Sequence, residues 1–384
     1  MMKVGMLGCG VVGSGVKKIL DEGKTEAGSD LQLTRILVKE IGEGMDARFT
    51  ECADDVLDDP DIDVVVECMG GIEPAGSFVE KALAGGKSVV TSNKKMLAEK
   101  AARLYALASE HHVCLLDEAA CGGGIPWMAN LKRIARIELV SSFQGIFNGT
   151  TNYILSRMEK GGADFQDVLK EAQKLGYAER DPSDDIDGVD AANKVVLSCM
   201  QAFGVYMPVS AVETFGIRRI QACDFAWAKS HGVTIRLLGT GENHNHTVSA
   251  WVMPAFVKAD SLYASISAND NVLVSHSETL GTSAFAAPGA GSLPTAHAVV
   301  QDLLDLYEGS GARAAVMPAA LAALMDQSSV KGRYYVRTVN PTVFDDVKQE
   351  DAGDALITRE ISLMDLCARV QKAADEKLFA GVML

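Results

Sequence analysis

The first part of the chain alternates short apolar runs with longer segments in which apolar positions recur at helical spacing. The runs fall at residues 3–7, 31–38, 63–68, 87–91 and 113–116. Largely apolar runs of this length are typical of strands that are buried on both faces of a parallel sheet. Their alternation with helices predicts an α/β fold for this part of the chain.

After residue 137 the pattern changes. Strand-like segments at residues 234–239, 247–257 and 268–275 follow one another and are preceded by several helical segments. This order predicts an α+β domain with an open sheet, and a face of that sheet is suited to a dimer interface.

The length of 384 residues favours two domains. We expect residues 1–137 to form the first domain and residues 138–290 the second, which would be the catalytic and dimerisation domain. The chain is expected to return to the first domain at about residues 290–330. Residues 331–384 would form a short C-terminal extension that begins with a strand and ends as an acidic, then helical, tail.

A glycine motif lies directly after the first apolar run and before a helical segment. It has the pattern G-x-G-x-x-G and consists of Gly8, Cys9, Gly10, Val11, Val12 and Gly13. In this setting the glycines allow a tight turn, close approach of a pyrophosphate and close packing of helix on strand. The phosphates would lie at the helix N-terminus. The first domain is therefore predicted to be a Rossmann-type dinucleotide-binding domain.

The end of the second strand bears on the choice of cofactor. An acidic residue there would hold the ribose 2′-hydroxyl of NAD, but Lys39 comes first in this chain and Glu40 second. Lys39 suits a 2′-phosphate, which gives a slight preference for NADP over NAD. The alternative is that Lys39 is a solvated charge and both cofactors bind.

Further candidate cofactor residues follow the fourth strand. Ser92, Asn93 and Lys94 occupy the C-terminal end of that strand, and such ends face the ligand crevice in parallel sheets. Position alone also allows Lys94 to be an ordinary exposed lysine. A second glycine-rich loop, which contains Gly289, precedes a helix at 296–307 and is a candidate cover for the cofactor.

An irregular turn is predicted after the fifth strand. Three glycines stand between Glu118 and an Ile-Pro pair, and a turn with exposed carbonyl groups could hold a hard monovalent cation. An equally good interpretation is a hinge into the helix at 127–134.

The segment 175–194 combines a cluster of carboxylates with one lysine. Asp190 and Lys194 are four residues apart on a predicted helix and so share one face, and Asp187 is a candidate N-cap of that helix. An acid and an amine at an acidic loop would suit a substrate that has an amine and an exchangeable proton. The alternative is an ordinary surface pair.

Composition excludes several classes of partner. A net charge of −15 argues against nucleic acid or anionic membranes as main partners. The eight cysteines include no C-x-x-C pair, so a zinc ribbon is not indicated. The N-terminus lacks a signal-peptide pattern and no apolar run is long enough for a membrane span. We therefore expect a cytoplasmic protein.

Together these motifs resemble the homoserine dehydrogenase family. The chain resembles the family's conserved segments at VTSNK (90–94), 118–126, GIFNGTTNYIL (145–155), 176–194 and 289–296. The similarity extends from about residue 3 to about residue 305. It implies reversible, nicotinamide-dependent interconversion of L-homoserine and L-aspartate 4-semialdehyde, on the route to threonine and methionine.

The resemblance also implies roles for individual residues. Lys194 corresponds to the general acid/base at the substrate hydroxyl, and Lys94 to a second lysine at nicotinamide and substrate. An anion favours a charged lysine, so Asp190 is expected mainly to orient Lys194 or to bind the substrate ammonium. The other implied substrate-binding residues are Glu179, Asp185, Tyr177, Gly149 and Thr150. The implied ligands of a sodium-type ion are Glu118, Cys121, Gly123 and Ile125.

The chain also departs from many relatives of this family. Its tail is too short for a complete ACT domain, and no aspartate-kinase domain precedes Met1, so a monofunctional homodimer without ACT-based feedback control is expected. Two other interpretations remain. One is a dehydrogenase of the same layout that acts on another small semialdehyde, and the other is a catalytically silent cofactor-binding relative.

Overall fold

A computed structural model describes residues 1–23, 30–244, 247–309 and 324–384. The helices within these residues are α1 (Val11–Glu22), α2 (Asp54–Leu57), α3 (Ala75–Ala84), α4 (Lys94–Glu110), α5 (Trp127–Ala135), α6 (Gly149–Gly161), α7 (Phe165–Lys174), α8 (Ser183–Ile186), α9 (Val189–Phe203), α10 (Ala222–Ser230), α11 (Leu262–Ser265), α12 (Ser292–Tyr307) and α13 (Leu363–Ala373).

The strands fall into two sheets. The first sheet contains β1 (Met2–Leu7), β2 (Leu31–Leu37), β3 (Phe49–Thr50), β4 (Val64–Glu67), β5 (Ser88–Thr91) and β6 (Leu115–Leu116). The second contains β7 (Val140–Ile146), β8 (Glu213–Thr214), β9 (Val233–His244), β10 (Thr247–Lys258), β11 (Asp270–Ser277), β12 (Gly281–Pro288), β13 (Leu324–Met325), β14 (Lys331–Arg337), β15 (Lys348–Ala352), β16 (Ala355–Thr358), β17 (Ile361–Ser362) and β18 (Phe379–Met383).

The described chain groups into two compact units. The first consists of Met1–Glu138, Leu197–Val209 and the described part of Ala287–Ala322. The second consists of Leu139–Val196, Ser210–Ala286 and the described part of Ala323–Leu384. Leu197–Val209 belongs to the first unit, although the expected second domain of residues 138–290 includes it. The apolar periodicity of α9 gives no sign that one helix contributes to both units.

The first unit is built on a parallel sheet with the order β3-β2-β1-β4-β5-β6. The predicted apolar runs form its strands because their side chains are covered on both faces, and Val64, Val65 and Val66 of β4 are all buried. α12 packs on this unit: Val299 and Leu303 share a core with Val16 of α1. The predicted Rossmann-type α/β fold is confirmed.

The second unit contains a mixed sheet with helices, as the α+β prediction required. Its main order is β12-β11-β7-β9-β10-β18-β14-β16-β15. β9 and β10 form a long antiparallel pair. Thr247 lies opposite His244 at one end, and Lys258 lies opposite Val233 at the other. The segments predicted at 234–239 and 247–257 extend further in the structure as β9 and β10, because sheet pairing continues beyond their apolar centres. The segment predicted at 268–275 forms β11 two residues later in the chain.

The C-terminal segment differs from the expectation of an acidic, then helical, tail. Residues 348–358 form the antiparallel pair β15–β16, and the last strand, β18, pairs with both β10 and β14. The charged, exposed sequence of β15 has no apolar alternation, and its place at the sheet edge explains why. The segment is therefore part of the second unit's sheet.

Two buried side chains fix the C-terminal segment in the second unit. The guanidinium of Arg337 on β14 donates from Nε to Oδ1 of Asp224 at 2.9 Å, and Asp224 on α10 is fully buried. The Tyr335 hydroxyl donates to the same carboxylate at 3.0 Å.

Within the described residues, no helix has both the length and the apolar character needed to cross a bilayer.

Candidate active site

The glycine motif forms the connection between β1 and α1. Gly8 has a φ of +94°, a conformation that L side chains rarely adopt. A Cβ on Gly13 would lie 2.2 Å from the carbonyl oxygen of Gly8, so only glycine allows the helix to start this close to the strand. Apart from its chain neighbours, no described residue comes within 4 Å of a Cβ on Gly10, and Val11 is 70% exposed. Val12 follows in the first turn of α1.

A cavity of about 580 Å³ opens beside this loop. Its lining includes Gly8, Gly10, Lys39, Met69 and Gly70. The C-terminal ends of β1, β2 and β4 thus contribute to one site, as ligand crevices do in open parallel sheets. Lys39 is exposed and lines the cavity, whereas Glu40 is not part of the lining.

The predicted strand-end residues lie at the start of α4. Asn93 caps the helix, since its side-chain oxygen accepts a hydrogen bond from the Met96 amide at 3.2 Å. Lys94 is the first residue of α4. The backbone amide of Ser92 donates to the Glu67 carbonyl at 3.2 Å, which ties the end of β5 to the end of β4.

The second glycine-rich loop lies against the turn after β6. A Cβ on Gly123 would come within 2.5 Å of the Gly289 carbonyl carbon, and the Gly124 amide donates to the Pro288 carbonyl. The structure therefore brings Gly289 against the candidate cation loop. The helix α12 that follows packs on α1, where a Cβ on Gly15 would meet the Ser292 carbonyl oxygen at 2.7 Å.

The candidate cation loop is more buried than predicted. Cys121, Gly122, Gly123 and Ile125 are buried in the fold. The Glu118 carboxylate accepts hydrogen bonds from the amides of Met128 (3.2 Å) and Ala129 (2.6 Å) at the start of α5. Close packing against the second glycine-rich loop is the physical reason for the burial.

Burial changes the acidity of Glu118. It raises the pKa of the Glu118 carboxyl to about 7, and the charge of Lys132 acts against that rise. Asp117 accepts from Lys132 Nζ at 2.9 Å, and Asp302 accepts from the Glu118 amide at 3.0 Å. Burial, followed by the charge of Glu118, raises the pKa of Asp302 well above its usual range. Long-range contacts assemble this cluster, which the sequence did not predict.

The acidic segment delivers the predicted pair. Asp190 Oδ2 lies 2.8 Å from Lys194 Nζ on α9, and only 9% of each side chain is exposed. Lys194 Nζ also donates to the Phe147 carbonyl oxygen at 2.6 Å. The interpretation as a surface pair is wrong, since both side chains are buried. Phe147 follows β7, so its carbonyl was not identifiable as a partner from sequence.

Asn148 joins the carboxylates of this cluster. Its Nδ2 donates to Asp185 Oδ1 at 2.7 Å and to Asp190 Oδ2 at 2.9 Å. Its side-chain oxygen accepts from the Thr151 amide and caps α6. In the sequence, Asn148 appears only as one residue of the segment GIFNGTTNYIL (145–155). Its position directly before a helix was the available signal.

The remaining substrate candidates lie around α6. The Thr150 hydroxyl donates to the Tyr177 carbonyl at 2.8 Å, and the rings of Tyr177 and Tyr153 are 4.6 Å apart. A Cβ on Gly149 would lie 2.5 Å from the Asn269 carbonyl oxygen, so this position requires glycine. Both Tyr177 and Glu179 are exposed.

The geometry does not support the prediction for Asp187, and that for Glu179 stays a prediction. Asp187 was a candidate N-cap of α9, but it follows α8 and its carboxylate forms a bidentate pair with Arg218, at 2.8 Å and 2.6 Å. The backbone carbonyl of Glu179 accepts a hydrogen bond from the Gln173 side chain. Among the described residues, no hydrogen bond joins the Glu179 carboxylate to Asp190, and the role of Glu179 at the substrate stays a prediction.

Metal binding by acidic and histidine side chains has no support in the described residues, which contain no group of three or more His, Cys, Asp and Glu suited to an ion. His244 is exposed at the end of β9 and lies 3.1 Å from Glu242, which fits a surface position. His246, which follows His244 by two positions in the segment ENHNH, lies outside the described residues.

Comparisons with known proteins agree with this arrangement. The sequence model described as "Homoserine dehydrogenase, NAD binding domain" matches residues 8–117, and that described as "Homoserine dehydrogenase" matches residues 126–304. The homoserine dehydrogenase of Synechocystis is 39% identical over 316 residues, which cover 79% of this chain and 73% of the relative. The chain belongs to the homoserine dehydrogenase family.

Other members of the homoserine dehydrogenase family extend the match. That of Neisseria gonorrhoeae is 35% identical over 353 residues, which cover 88% of this chain and 81% of the relative. The crystal structure of a homoserine dehydrogenase from Thiobacillus denitrificans has a TM-score of 0.89 at 32% identity and covers 100% of this chain and 98% of its own. A structure from S. aureus has a TM-score of 0.77 at 28% identity, with 99% and 98% covered.

Membership of the family establishes the reaction. The chain is an NAD(P)-dependent oxidoreductase that interconverts homoserine and aspartate 4-semialdehyde, small molecules of amino-acid biosynthesis. The two alternatives, another semialdehyde dehydrogenase and a silent relative, are not favoured by any of these matches.

Proposed function

We propose that Lys194 is the general acid/base of the homoserine dehydrogenase reaction. The observation that carries this proposal is its burial beside Asp190, with Nζ also held by the Phe147 carbonyl. In the oxidative direction, neutral Lys194 accepts the hydroxyl proton of homoserine as the hydride leaves the same carbon atom. In the reverse direction the ammonium returns that proton. The nicotinamide supplies the hydride acceptor or donor.

The carboxylates near Lys194 are proposed to bind the α-ammonium of the substrate. Asn148 holds Asp185 and Asp190 in one network, so two negative charges are available at one place. Such charges favour a cationic amine and disfavour a substrate that lacks one. Tyr177, Gly149 and Thr150 are proposed to border the pocket. Glu179, which is exposed, is proposed to contribute its charge at the pocket's entrance.

Asp190 has a second proposed effect. Its carboxylate fixes the direction of Lys194 Nζ, because the ion pair and the bond to the Phe147 carbonyl leave the ammonium little freedom. A lysine with four rotatable side-chain bonds otherwise loses considerable entropy when it is held in one geometry. Prior orientation reduces that cost during the reaction.

The first unit is proposed to bind NADP in preference to NAD. The residues fit a dinucleotide, since Gly13 lets α1 begin directly at Gly8 and the open side of Gly10 leaves room for a pyrophosphate. Lys39 at the cavity would pair with the 2′-phosphate of NADP. The other proposed cofactor residues are Gly8, Val11, Val12, Ser92, Asn93, Lys94 and Gly289, with Lys94 also acting at the substrate.

A monovalent cation such as sodium is proposed at the turn after β6. The Glu118 carboxylate accepts two backbone hydrogen bonds, and an ionised carboxylate has further lone pairs for a cation. A cation would also offset the cost of a buried negative charge. The proposed additional ligands are the backbone carbonyls of Cys121, Gly123 and Ile125.

We propose that the two units bind different ligands. The first unit, with the chain returning to it from residue 287, binds the dinucleotide. The second unit holds the amino-acid substrate and provides the surface for a homodimer. The C-terminal segment from residue 331 completes the second unit's sheet.

The test is absorbance of reduced nicotinamide with purified protein, homoserine and either NADP or NAD. The proposal expects homoserine-dependent reduction, faster with NADP. The matched control substrate is 4-hydroxybutyrate, which differs from homoserine in the missing α-amine and should give little or no turnover. Equal turnover of both compounds would contradict the proposed ammonium site.

A further inference from the structure

Glu67 is a buried carboxylate at the C-terminal end of β4 that none of the sequence motifs includes. It is fully buried. Its Oε2 accepts from the Thr91 hydroxyl at 2.6 Å, and its Oε1 accepts from the Met69 amide at 2.7 Å. The Gly70 amide and the Asn93 side chain lie further away, at 3.4 Å each. A buried charge is costly unless hydrogen bonds satisfy it, so this arrangement is specific.

The hydrogen-bond pattern defines the role of each oxygen. The Thr91 hydroxyl oxygen accepts a hydrogen bond from the backbone amide of Asn93 at 3.0 Å, so the hydroxyl proton is available for Glu67. The Met69 and Gly70 partners are backbone amides, which only donate. Burial raises the pKa of the Glu67 carboxyl, and the hydrogen bonds, led by that from Thr91, act against the rise.

The groups that Glu67 holds belong to two turns. Met69 and Gly70 line the cavity beside the glycine motif, and a Cβ on Gly8 would lie only 3.0 Å from the Cys68 carbonyl oxygen. On the other side, Thr91 and Asn93 lead into α4. The side-chain amide of Asn93 donates from Nδ2 to the Gly71 carbonyl at 2.7 Å, so the two turns are bonded to each other as well as to Glu67.

We propose that Glu67 is a positioning residue for the dinucleotide. It sets the distance between the 68–71 turn and the 91–93 turn, and so the shape of the cavity wall and the start of α4 at Lys94. Because the side chain is fully buried, it acts through these two turns and does not itself touch the cofactor. This inference rests on the proposed placement of the dinucleotide in the first unit.

Two variants separate positioning from general support of the fold. Thr91→Val removes the hydroxyl donor at almost constant volume, and Glu67→Gln removes the charge at constant shape. Ser88→Ala is the matched control, because it removes the hydroxyl oxygen that accepts a hydrogen bond from the Cys114 backbone amide at the opposite end of β5. Thr91→Ser restores the hydroxyl and serves as the rescue variant.

The measurement is the dissociation constant of NADPH, from its fluorescence on titration, together with the KM for homoserine and the Tm of each variant. We expect Thr91→Val and Glu67→Gln each to weaken NADPH binding about tenfold, as small displacements of binding groups do. The KM for homoserine should change less than the NADPH dissociation constant, because most of the proposed substrate residues lie in the second unit. Ser88→Ala and Thr91→Ser should bind NADPH as the wild type does.

The inference is overturned if Thr91→Val and Glu67→Gln lower the Tm but bind NADPH normally, since Glu67 then only supports the fold. It is also overturned if Thr91→Ser fails to restore binding, or if the wild type binds no NADPH. If the wild type binds NADPH but does not oxidise homoserine, the proposed catalytic function fails while the binding result for Glu67 still stands.

Discussion

The Asp190 carboxylate lies 2.8 Å from the ammonium of Lys194, one turn further along α9, and both side chains are buried. A buried pair of this kind carries a desolvation cost, and replacing one member generally harms the fold. The arrangement is therefore better explained by the chemistry of Lys194 than by stability alone.

Replacing Asp190 by asparagine should affect both stability and substrate use. The variant leaves Lys194 buried without its carboxylate partner on α9, so we expect unfolding to become easier by about 3–5 kcal/mol. The KM for homoserine should rise, while NADPH binding should stay unchanged. Urea unfolding and steady-state kinetics measure these effects.

The matched control for this experiment is Asp167→Asn. Asp167 forms an exposed i,i+3 pair with Lys170, with 75% of each side chain exposed, and such pairs contribute at most about 1 kcal/mol. Equal effects of Asp190→Asn and Asp167→Asn would show that the Asp190 pair has no special role.

Lys39→Ala should reduce the preference for NADP. The lysine lines the cofactor cavity, and a 2′-phosphate would lose its cationic partner in the variant. The measured quantity is the ratio of kcat/KM for NADP to that for NAD, which should fall. Lys18→Ala is the control, since Lys18 is exposed on α1 and pairs only loosely with Glu22 at 4.0 Å. An unchanged ratio in Lys39→Ala would show that Lys39 is a solvated charge that does not contact the cofactor.

A cation at Glu118 should stabilise the fold. We expect a higher Tm in sodium chloride than in tetramethylammonium chloride at the same ionic strength, because the larger ion does not fit a site of carbonyl and carboxylate ligands. Glu118→Gln should abolish the difference. Identical Tm values of the wild type in the two salts would exclude the cation.

The pH dependence of this effect has a definite sign. The pKa of Glu118 is about 7 in the folded chain and 4.5 as an ordinary value. Without a cation the fold therefore loses stability as the pH rises between these values, because the unfolded chain gives up its proton first. Since a cation favours the ionised carboxylate, the sodium effect on Tm should grow as the pH rises through about 7. A sodium effect that shrinks over this range would contradict binding at Glu118.

Arg337→Met should destabilise the second unit. The change leaves the fully buried Asp224 without its guanidinium partner, at an expected cost of about 3–5 kcal/mol in urea unfolding. Arg333→Met is the matched control on the same strand, because Arg333 pairs with Glu350 at a partly exposed position. If both variants lose the same stability, the C-terminal segment is not held by the buried pair.

Local patterns were sufficient for much of the fold. The glycine motif between an apolar run and a helix defined the β1–α1 connection, and the four-residue spacing of Asp190 and Lys194 placed both on one helix face. Each of these predictions depends on residues close together in sequence, where backbone geometry alone fixes the arrangement.

Contacts between distant residues were not predictable in this way. Glu67 meets Thr91 through the pairing of β4 with β5, and Asn148 meets Asp190 of α9 only in the folded chain. The edge strand β15 was missed because its charged sequence carries no alternation. Asp187 satisfied the sequence rule for an N-cap, but Arg218, 31 residues later, competes for its carboxylate.

The most direct test of the central claim compares Lys194→Ala with Lys170→Ala, an exposed lysine of α7. Homoserine-dependent NADP reduction and NADPH binding are measured for both. For Lys194→Ala we expect kcat to fall by about 10²–10⁴, the usual contribution of a general acid/base, with NADPH binding retained. Lys170→Ala should be normal in both assays. A Lys194→Ala protein with normal kcat, or with equal losses of turnover and NADPH binding, would contradict the role of Lys194.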